Sequence, residues 1–166
     1  MSNGRRELIL TQPLKERGLR YRVVDRETGK ELCVADIKVS STKTIIHAKK
    51  VMGGEITWFE IRQEEDINTI YKIMDEKLKE IGIIEVSNKS PFMPELKLKI
   101  GDKVFKAKGA PHAVSFEVFS PEGFLVLTVD KNMLALDDTF NIVLTPKIDI
   151  RYALALALAI DDVFFH

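Results

Sequence analysis

Asp149-Ile150-Arg151-Tyr152-Ala153-Leu154-Ala155-Leu156-Ala157-Leu158-Ala159-Ile160-Asp161-Asp162 is the stretch on which the fold turns. Eight consecutive Ala, Leu and Ile residues run from Ala153 to Ile160. Alternating Ala and Leu would suit a strand, but both are strong helix formers and Asp149 is a good N-cap, so the segment is expected to be a helix. About 20 apolar residues are needed to cross a bilayer, so a helix this short and apolar all round has to be buried in protein.

What could bury it lies upstream, in short alternating runs broken by turn residues, the pattern of an antiparallel β domain. In Leu96-Lys97-Leu98-Lys99-Ile100-Gly101-Asp102-Lys103-Val104-Phe105-Lys106-Ala107-Lys108, apolar and lysine positions alternate on the first arm and Gly101-Asp102 supplies a tight turn. One face of this hairpin points inward and the other carries lysine. Three more stretches look like copies of one hairpin: Tyr21 to Asp25 followed by Leu32 to Ile37, Tyr71 to Asp75 followed by Ile81 to Val86, and Phe116 to Ser120 followed by Phe124 to Val129. Each begins aromatic, charged, aliphatic, and the copies start 50 and 45 residues apart, so the chain reads as repeated supersecondary units.

The middle copy has an alternative. Ile67, Ile70, Tyr71, Met74, Leu78 and Ile81 also fall at helical spacing, with Glu64, Glu65 and Asp66 ahead and Gly82 behind, so 64–81 fits a helix as well as a hairpin. The register it shares with its two neighbours ranks the hairpin first; the lack of glycine in Glu76-Lys77-Leu78-Lys79 counts against it. A helix of the tail's length spans roughly 25 Å, close to strands of about seven residues, so the expected architecture is mainly β, a closed antiparallel barrel around a central hydrophobic C-terminal helix.

Composition sets the outer bounds. At 166 residues the chain has the length of one domain, 1–166, with 1–7 expected to be a flexible lead-in. It is 45% hydrophobic and 30% charged, a globular mix. Lys plus Arg and Asp plus Glu number 25 each, so no global field recruits nucleic acid or an anionic membrane, and charge-driven binding has to be local. The lone Cys33 rules out an internal disulfide and suits a reducing compartment, and the start has no apolar run of the signal-peptide type, so a cytoplasmic location is expected.

The order of hairpins, then Leu136-Asp137-Asp138-Thr139-Phe140-Asn141-Ile142, then the Ala/Leu tail ending in Ile160-Asp161, resembles the tubby C-terminal-like superfamily, and within it the LURP-one-related group, relatives of phospholipid scramblases. The Asp-Asp-Thr-Phe run is similar to that group's Gly-Asp-Thr-Tyr strand. The resemblance covers Arg20 to the C-terminus and is strongest after Phe116. It implies a barrel of about twelve strands around the tail helix, and a habit of binding lipid headgroups. Tubby proteins are also similar around Asp25-Arg26-Glu27-Thr28-Gly29-Lys30, and follow that hairpin with a dense basic run. Here the matching stretch, Ala35 to Thr44, keeps only Lys38 and Lys43.

The local charge excess lies elsewhere. Lys97, Lys99, Lys103, Lys106 and Lys108 stand against the single Asp102, whereas Glu60 to Glu85 holds eight acids and four bases. These five lysines, with Lys38 and Lys43, are the candidate anion-binding residues, set against the plainer role of lysines that solubilise and protect strand edges. A second basic cluster, Arg5, Arg6, Lys15, Arg17, Arg20, Arg22 and Arg26, is offset by Glu7, Glu16 and Asp25.

Catalysis and cofactors have little support. His47, His112 and His166 lack ligand spacing, and His166 with Asp161 and Asp162 is weak as a metal site. Cys33 lies on an apolar strand as a buried thiol. Ser40, Ser41 and Ser115 have no nucleophile elbow, and Gly53-Gly54 reads as a turn. Adjacent Trp58 and Phe59 point to opposite faces of a strand, leaving one exposed, unless a bulge lets both pack. The expected function is therefore a non-enzymatic module without cofactor or metal, binding anionic phospholipid headgroups or another polyanion, peripherally at a membrane. The alternative is a protein-interaction or structural scaffold with no lipid ligand.

Overall fold

The computed structural model of the protein describes residues 4–13, 20–39, 43–51, 53–64, 70–135 and 137–165. Twelve strands make up its wall: β1 (Arg6–Gln12), β2 (Arg20–Asp25), β3 (Glu31–Val39), β4 (Thr44–Val51), β5 (Glu55–Gln63), β6 (Ile70–Asp75), β7 (Glu80–Asn88), β8 (Glu95–Ile100), β9 (Lys103–Gly109), β10 (Ser115–Phe119), β11 (Leu125–Lys131) and β12 (Asp138–Leu144). Each pairs antiparallel with the next, and β12 pairs with β1 from Arg6↔Leu144 to Gln12↔Asp138, closing the barrel. Closure removes every sheet edge. The α-helix α1 (Ile150–Phe165) then threads the interior. Eight strands enclose only their own side chains and diameter grows with strand number, so twelve leave room for a helix.

The tail supplies what that space requires. Asp149 caps α1, its Oδ1 accepting from the Arg151 N–H at 2.8 Å. Every residue from Ala153 to Asp161 is buried, and Leu154, Leu156, Leu158 and Ile160 are at most 1% exposed. Burying a Leu or Ile side chain contributes about 1.5–3 kcal/mol, so these four dominate the helix's attachment. Small Ala between them lets inward side chains such as Leu96, Leu98 and Phe105 come close. Among the described residues no helix is long and apolar enough to cross a membrane.

The three hairpin copies are β2–β3, β6–β7 and β10–β11, four strands apart around the wall. Tyr21, Tyr71 and Phe116 each take the second place of their strand and face the core. The pairing slips at the same step in all three, at Val23/Val24, Ile73/Met74 and Val118/Phe119. The turns match as well. Asp25, Asp75 and Ser120 stand at the corner, where Asp25 Oδ1 accepts from Glu27 and Thr28, Asp75 Oδ1 from Lys77 and Lys79, and Ser120 Oγ from Phe124. A left-handed residue follows in each, Gly29 at φ 74°, Leu78 at φ 62° and Gly123 at φ 92°.

Residues 70–81 are therefore not helical; Glu65, Asp66 and Ile67 lie outside the described residues. Strand wins because β6 pairs with β5 on one side and β7 on the other, and a helix there would forfeit both ladders.

Candidate anion-binding site

Strands β8 and β9 carry the lysine hairpin, turning at Gly101 with φ 61°. Leu96, Leu98, Phe105 and Ala107 face the core, which puts Lys97, Lys99, Lys106 and Lys108 on the outer wall. Lys103 shares the parity of Phe105 and Ala107 and is exposed at the rim, apart from the other four. Register divides the set further. Lys99 Nζ lies 3.0 Å from Glu85. Lys97 stands directly opposite Lys106, and Lys108 is the next outward residue on the same strand.

Glu85 faces Lys97, and Glu95 and Glu117 face Lys108 across the ladders. Even so, among the described residues none comes within ion-pair distance of Lys97, Lys106 or Lys108. Like charges directly opposed on a sheet destabilise it by a few tenths of a kcal/mol up to about 1. Beside them the wall has a depression of about 310 Å³ between Lys106 and Lys108 on one side and Phe119, Ser120 and Pro121 on the other. It opens where the β10–β11 bulge draws Phe119 out of register. Nothing in the sequence marks that recess, because a bulge has no side-chain signature here.

Lys38 and Lys43 lie elsewhere. Lys38 is exposed on β3 and Lys43 immediately precedes β4, and four strands separate β3 from β8. The structure does not bring them to the lysine hairpin.

The second basic cluster is largely consumed by ion pairs. Arg20 bonds Asp36 at 2.6 Å and Glu55 at 3.1 Å, Lys49 reaches the same two acids at 3.2 and 3.6 Å, and Arg22 meets Glu31 at 3.0 Å. Arg26 pairs with Glu7 at 3.2 Å and Arg6 with Asp25 at 3.3 Å. Burial would raise the Asp36 carboxyl, but Arg20 and Lys49 outweigh it and hold the group below its ordinary range. Lys15 and Arg17 lie outside the described residues.

The remaining candidates are mostly tied down. Burial pushes the Cys33 thiol up to about 12, so it carries almost no thiolate at neutral pH. Ser115 bonds Asp130 at 2.6 Å, and His47 lies 3.3 Å from both Glu60 and Thr57. Ser40, Ser41 and His166 lie outside the described residues. The tail acids serve the fold: Tyr21 donates to Asp161, and Tyr71 to Asp162 at 2.6 Å. Burial raises both phenols, and the acids add to it. Among the described residues no three His, Cys, Asp or Glu side chains are grouped to hold a metal ion.

Gly53 and Gly54 form the turn before β5, with φ of 65° and 147°. Trp58 is the extra residue of a bulge: Ala48 pairs with Phe59 and Lys49 with Thr57. The bulge lets both pack: Phe59 is buried and Trp58 is partly buried against the core, with Lys50 lying 5.1 Å from its ring centre. No family model matches the chain, and no curated protein matches it.

Proposed function

We propose that the protein is a non-enzymatic binding module that holds phosphorylated, anionic lipid headgroups on the outer wall of β8 and β9. The observation that carries this reading is the opposed pair Lys97 and Lys106, with Lys108 beside it, left without ion pairs next to a depression of about 310 Å³. A phosphate between Lys97 and Lys106 would relieve their repulsion and take charge-assisted hydrogen bonds from both. The apolar side of the recess, Phe119 and Pro121, suits the carbon framework of a headgroup. The likeness of the Asp137 to Asp161 region to tubby-like proteins points to the same ligand class.

Co-sedimentation with vesicles of phosphatidylcholine, alone or with phosphatidylserine or a phosphoinositide, tests this at two salt concentrations. Each lysine near an anionic surface contributes about 1 kcal/mol, so Lys97→Gln, Lys106→Gln and Lys108→Gln together should weaken binding by about two orders of magnitude. The wild type should release as salt rises. Binding unchanged in the triple variant, or no binding by the wild type, refutes the reading and favours the scaffold alternative.

A further inference from the structure

We infer that the end of the barrel where α1 finishes is a membrane-penetrating edge, which inserts Phe92, Met93, Met133 and Leu134 into a lipid bilayer surface. The inference deepens the headgroup reading above and rests on it for the identity of the surface.

Eight large apolar side chains are exposed among the described residues, and half of them sit on two loops at this end: Phe92 at 71%, Met93 at 70%, Met133 at 66% and Leu134 at 95%. Backbone hydrogen bonds bind these loops into one unit. His112 N–H donates to Pro91 at 2.5 Å, Gly109 N–H to Pro94 at 2.8 Å, and Lys131 N–H to Val114 at 2.8 Å. Pro91 and Pro94 bracket the first tip and limit its freedom. On the neighbouring β9–β10 connection, His112 and Ala113 both adopt left-handed backbone, φ 66° and 58°, a strained pair of the kind that persists where surrounding structure enforces it. The ring of His112 lies 6.5 Å from that of Phe92. A recess of about 280 Å³, lined by Lys89, Pro91, His112 and Phe164, lies between the loops and the helix end.

Charge selects the occupant. Residues 90–94, 110–114 and 132–136 contain no Asp, Glu, Lys or Arg, and Glu95 and Asp137 are the first acids beyond them. The cations begin directly behind the tips. Lys89 opens the first loop, and Lys108 precedes the Gly109 that bonds Pro94, with Lys97 and Lys106 next along the wall. Asp138, the acid opening β12, is paired with Lys131 at 3.4 Å. Uncharged apolar tips backed by lysines match the layering of an anionic bilayer, in which acyl chains lie beneath phosphates. A protein partner would call for a continuous apolar face, whereas these four side chains stand on two different loops joined through the uncharged 110–114 segment.

The test uses the full chain and vesicles of phosphatidylcholine with and without phosphatidylserine. One variant carries Phe92→Ser, Met93→Ser, Met133→Ser and Leu134→Ser; the Lys97→Gln, Lys106→Gln, Lys108→Gln triple variant runs alongside. Because all four tip residues are exposed, the thermal midpoint should stay unchanged, which checks the fold. The serine variant should bind phosphatidylserine vesicles at least tenfold more weakly at both low and high salt, since the lost contacts are apolar. As Trp58 is the only tryptophan, Phe92→Trp in a Trp58→Phe background gives a single reporter, whose emission should shift to the blue and be quenched by brominated acyl chains. Full binding by the serine variant with an unquenched reporter overturns the edge and leaves the lysine reading standing. Loss in the serine variant alone, with the lysine variant unaffected, keeps the edge and removes the lysine reading. A concentration-dependent dimer that the serine substitutions abolish would assign the edge to a second copy of the chain and overturn the inference.

Discussion

Leu156→Ala tests the central helix most directly. Leu156 is 0% exposed, and so are Ala155 and Ala157 on either side of it. The substitution removes three carbons at about 0.8 kcal/mol each, and the space left behind adds a further penalty that depends on how far the surroundings can relax. Relaxation should be small, because the surrounding wall is hydrogen-bonded strand to strand all the way round and cannot close in on one side. The expected loss is therefore in the upper half of the known Leu→Ala range, about 4 kcal/mol. For a chain of this length that corresponds to a fall in thermal midpoint of roughly 8 to 16 °C. Ala157→Leu should also destabilise, by about 1–3 kcal/mol, because the same wall cannot expand. Urea denaturation followed by far-UV circular dichroism gives both values. Leu134→Ala, at a position 95% exposed, is the internal reference and should change stability by less than about 0.5 kcal/mol. A loss under 1 kcal/mol for Leu156→Ala would mean that the helix does not fill the barrel.

Two further outcomes test the hairpins and their link to the helix. A Cβ at Gly123 meets nothing within 4 Å, so the cost of Gly123→Ala, about 1 kcal/mol, comes only from its φ of 92°, and Leu78→Ala at the matching turn position adds no such cost; chemical denaturation separates the two. Tyr21→Phe removes the donor to buried Asp161 and should cost about 1–3 kcal/mol at neutral pH. Because burial and Asp161 raise the folded-state pKa of Tyr21, its contribution is complete below the unfolded value of about 10 and is lost as pH rises beyond it. The difference between wild type and variant should therefore shrink by about 1.4 kcal/mol per pH unit above pH 10, measured by urea titrations across that range. A difference independent of pH would mean that the phenol is not buried against the acid.

Much of this fold was legible because its signals are local. Two-residue alternation in Leu96 to Lys99 shows which side of the strand faces in, and the apolar run of the tail could only be an interior helix. The shared register of Tyr21, Tyr71 and Phe116 decided the middle copy against a respectable helical pattern, even though Leu78 takes the left-handed place that glycine fills in the other two turns. The site was legible only in outline. Five lysines on one hairpin look alike, but Lys99 is paired with Glu85 of the neighbouring strand, which stands opposite Lys97 and reaches Lys99 diagonally. Similarly, nothing in Trp58-Phe59 shows that a bulge will separate them, and nothing in Pro91-Phe92-Met93-Pro94 shows that the tip stays uncovered. Pairing and exposure depend on inter-strand register and loop packing, and neither follows from periodicity along one strand.

Zero net charge conceals a division around the wall. On β2 to β5, Arg20 and Lys49 share Asp36 and Glu55, a network that holds its charges in place and leaves little field outside. On β8 and β9 the opposed Lys97 and Lys106 lie about 5 Å apart at Cβ, well within the Debye length of about 10 Å at 0.1 M salt. Lys108, two residues along from Lys106, adds about 7 Å and still falls inside it. Lys103 is five residues from Lys108, roughly 16 Å, and is screened from that end of the strand. Lys38 on β3 is five strand spacings from β8 and Lys43, just before β4, is four, roughly 24 and 19 Å around the wall at about 4.8 Å per strand. Lys99 is as near to Lys97 but is paired with Glu85, so a single phosphate on this wall would meet Lys97, Lys106 and Lys108 together, with Glu85, Glu95 and Glu117 opposite them on the ladders offsetting part of that field. Of the seven lysines that the sequence nominates, these three act as one group, and their end of the hairpin is the one that adjoins Pro94 and the exposed Phe92 and Met93.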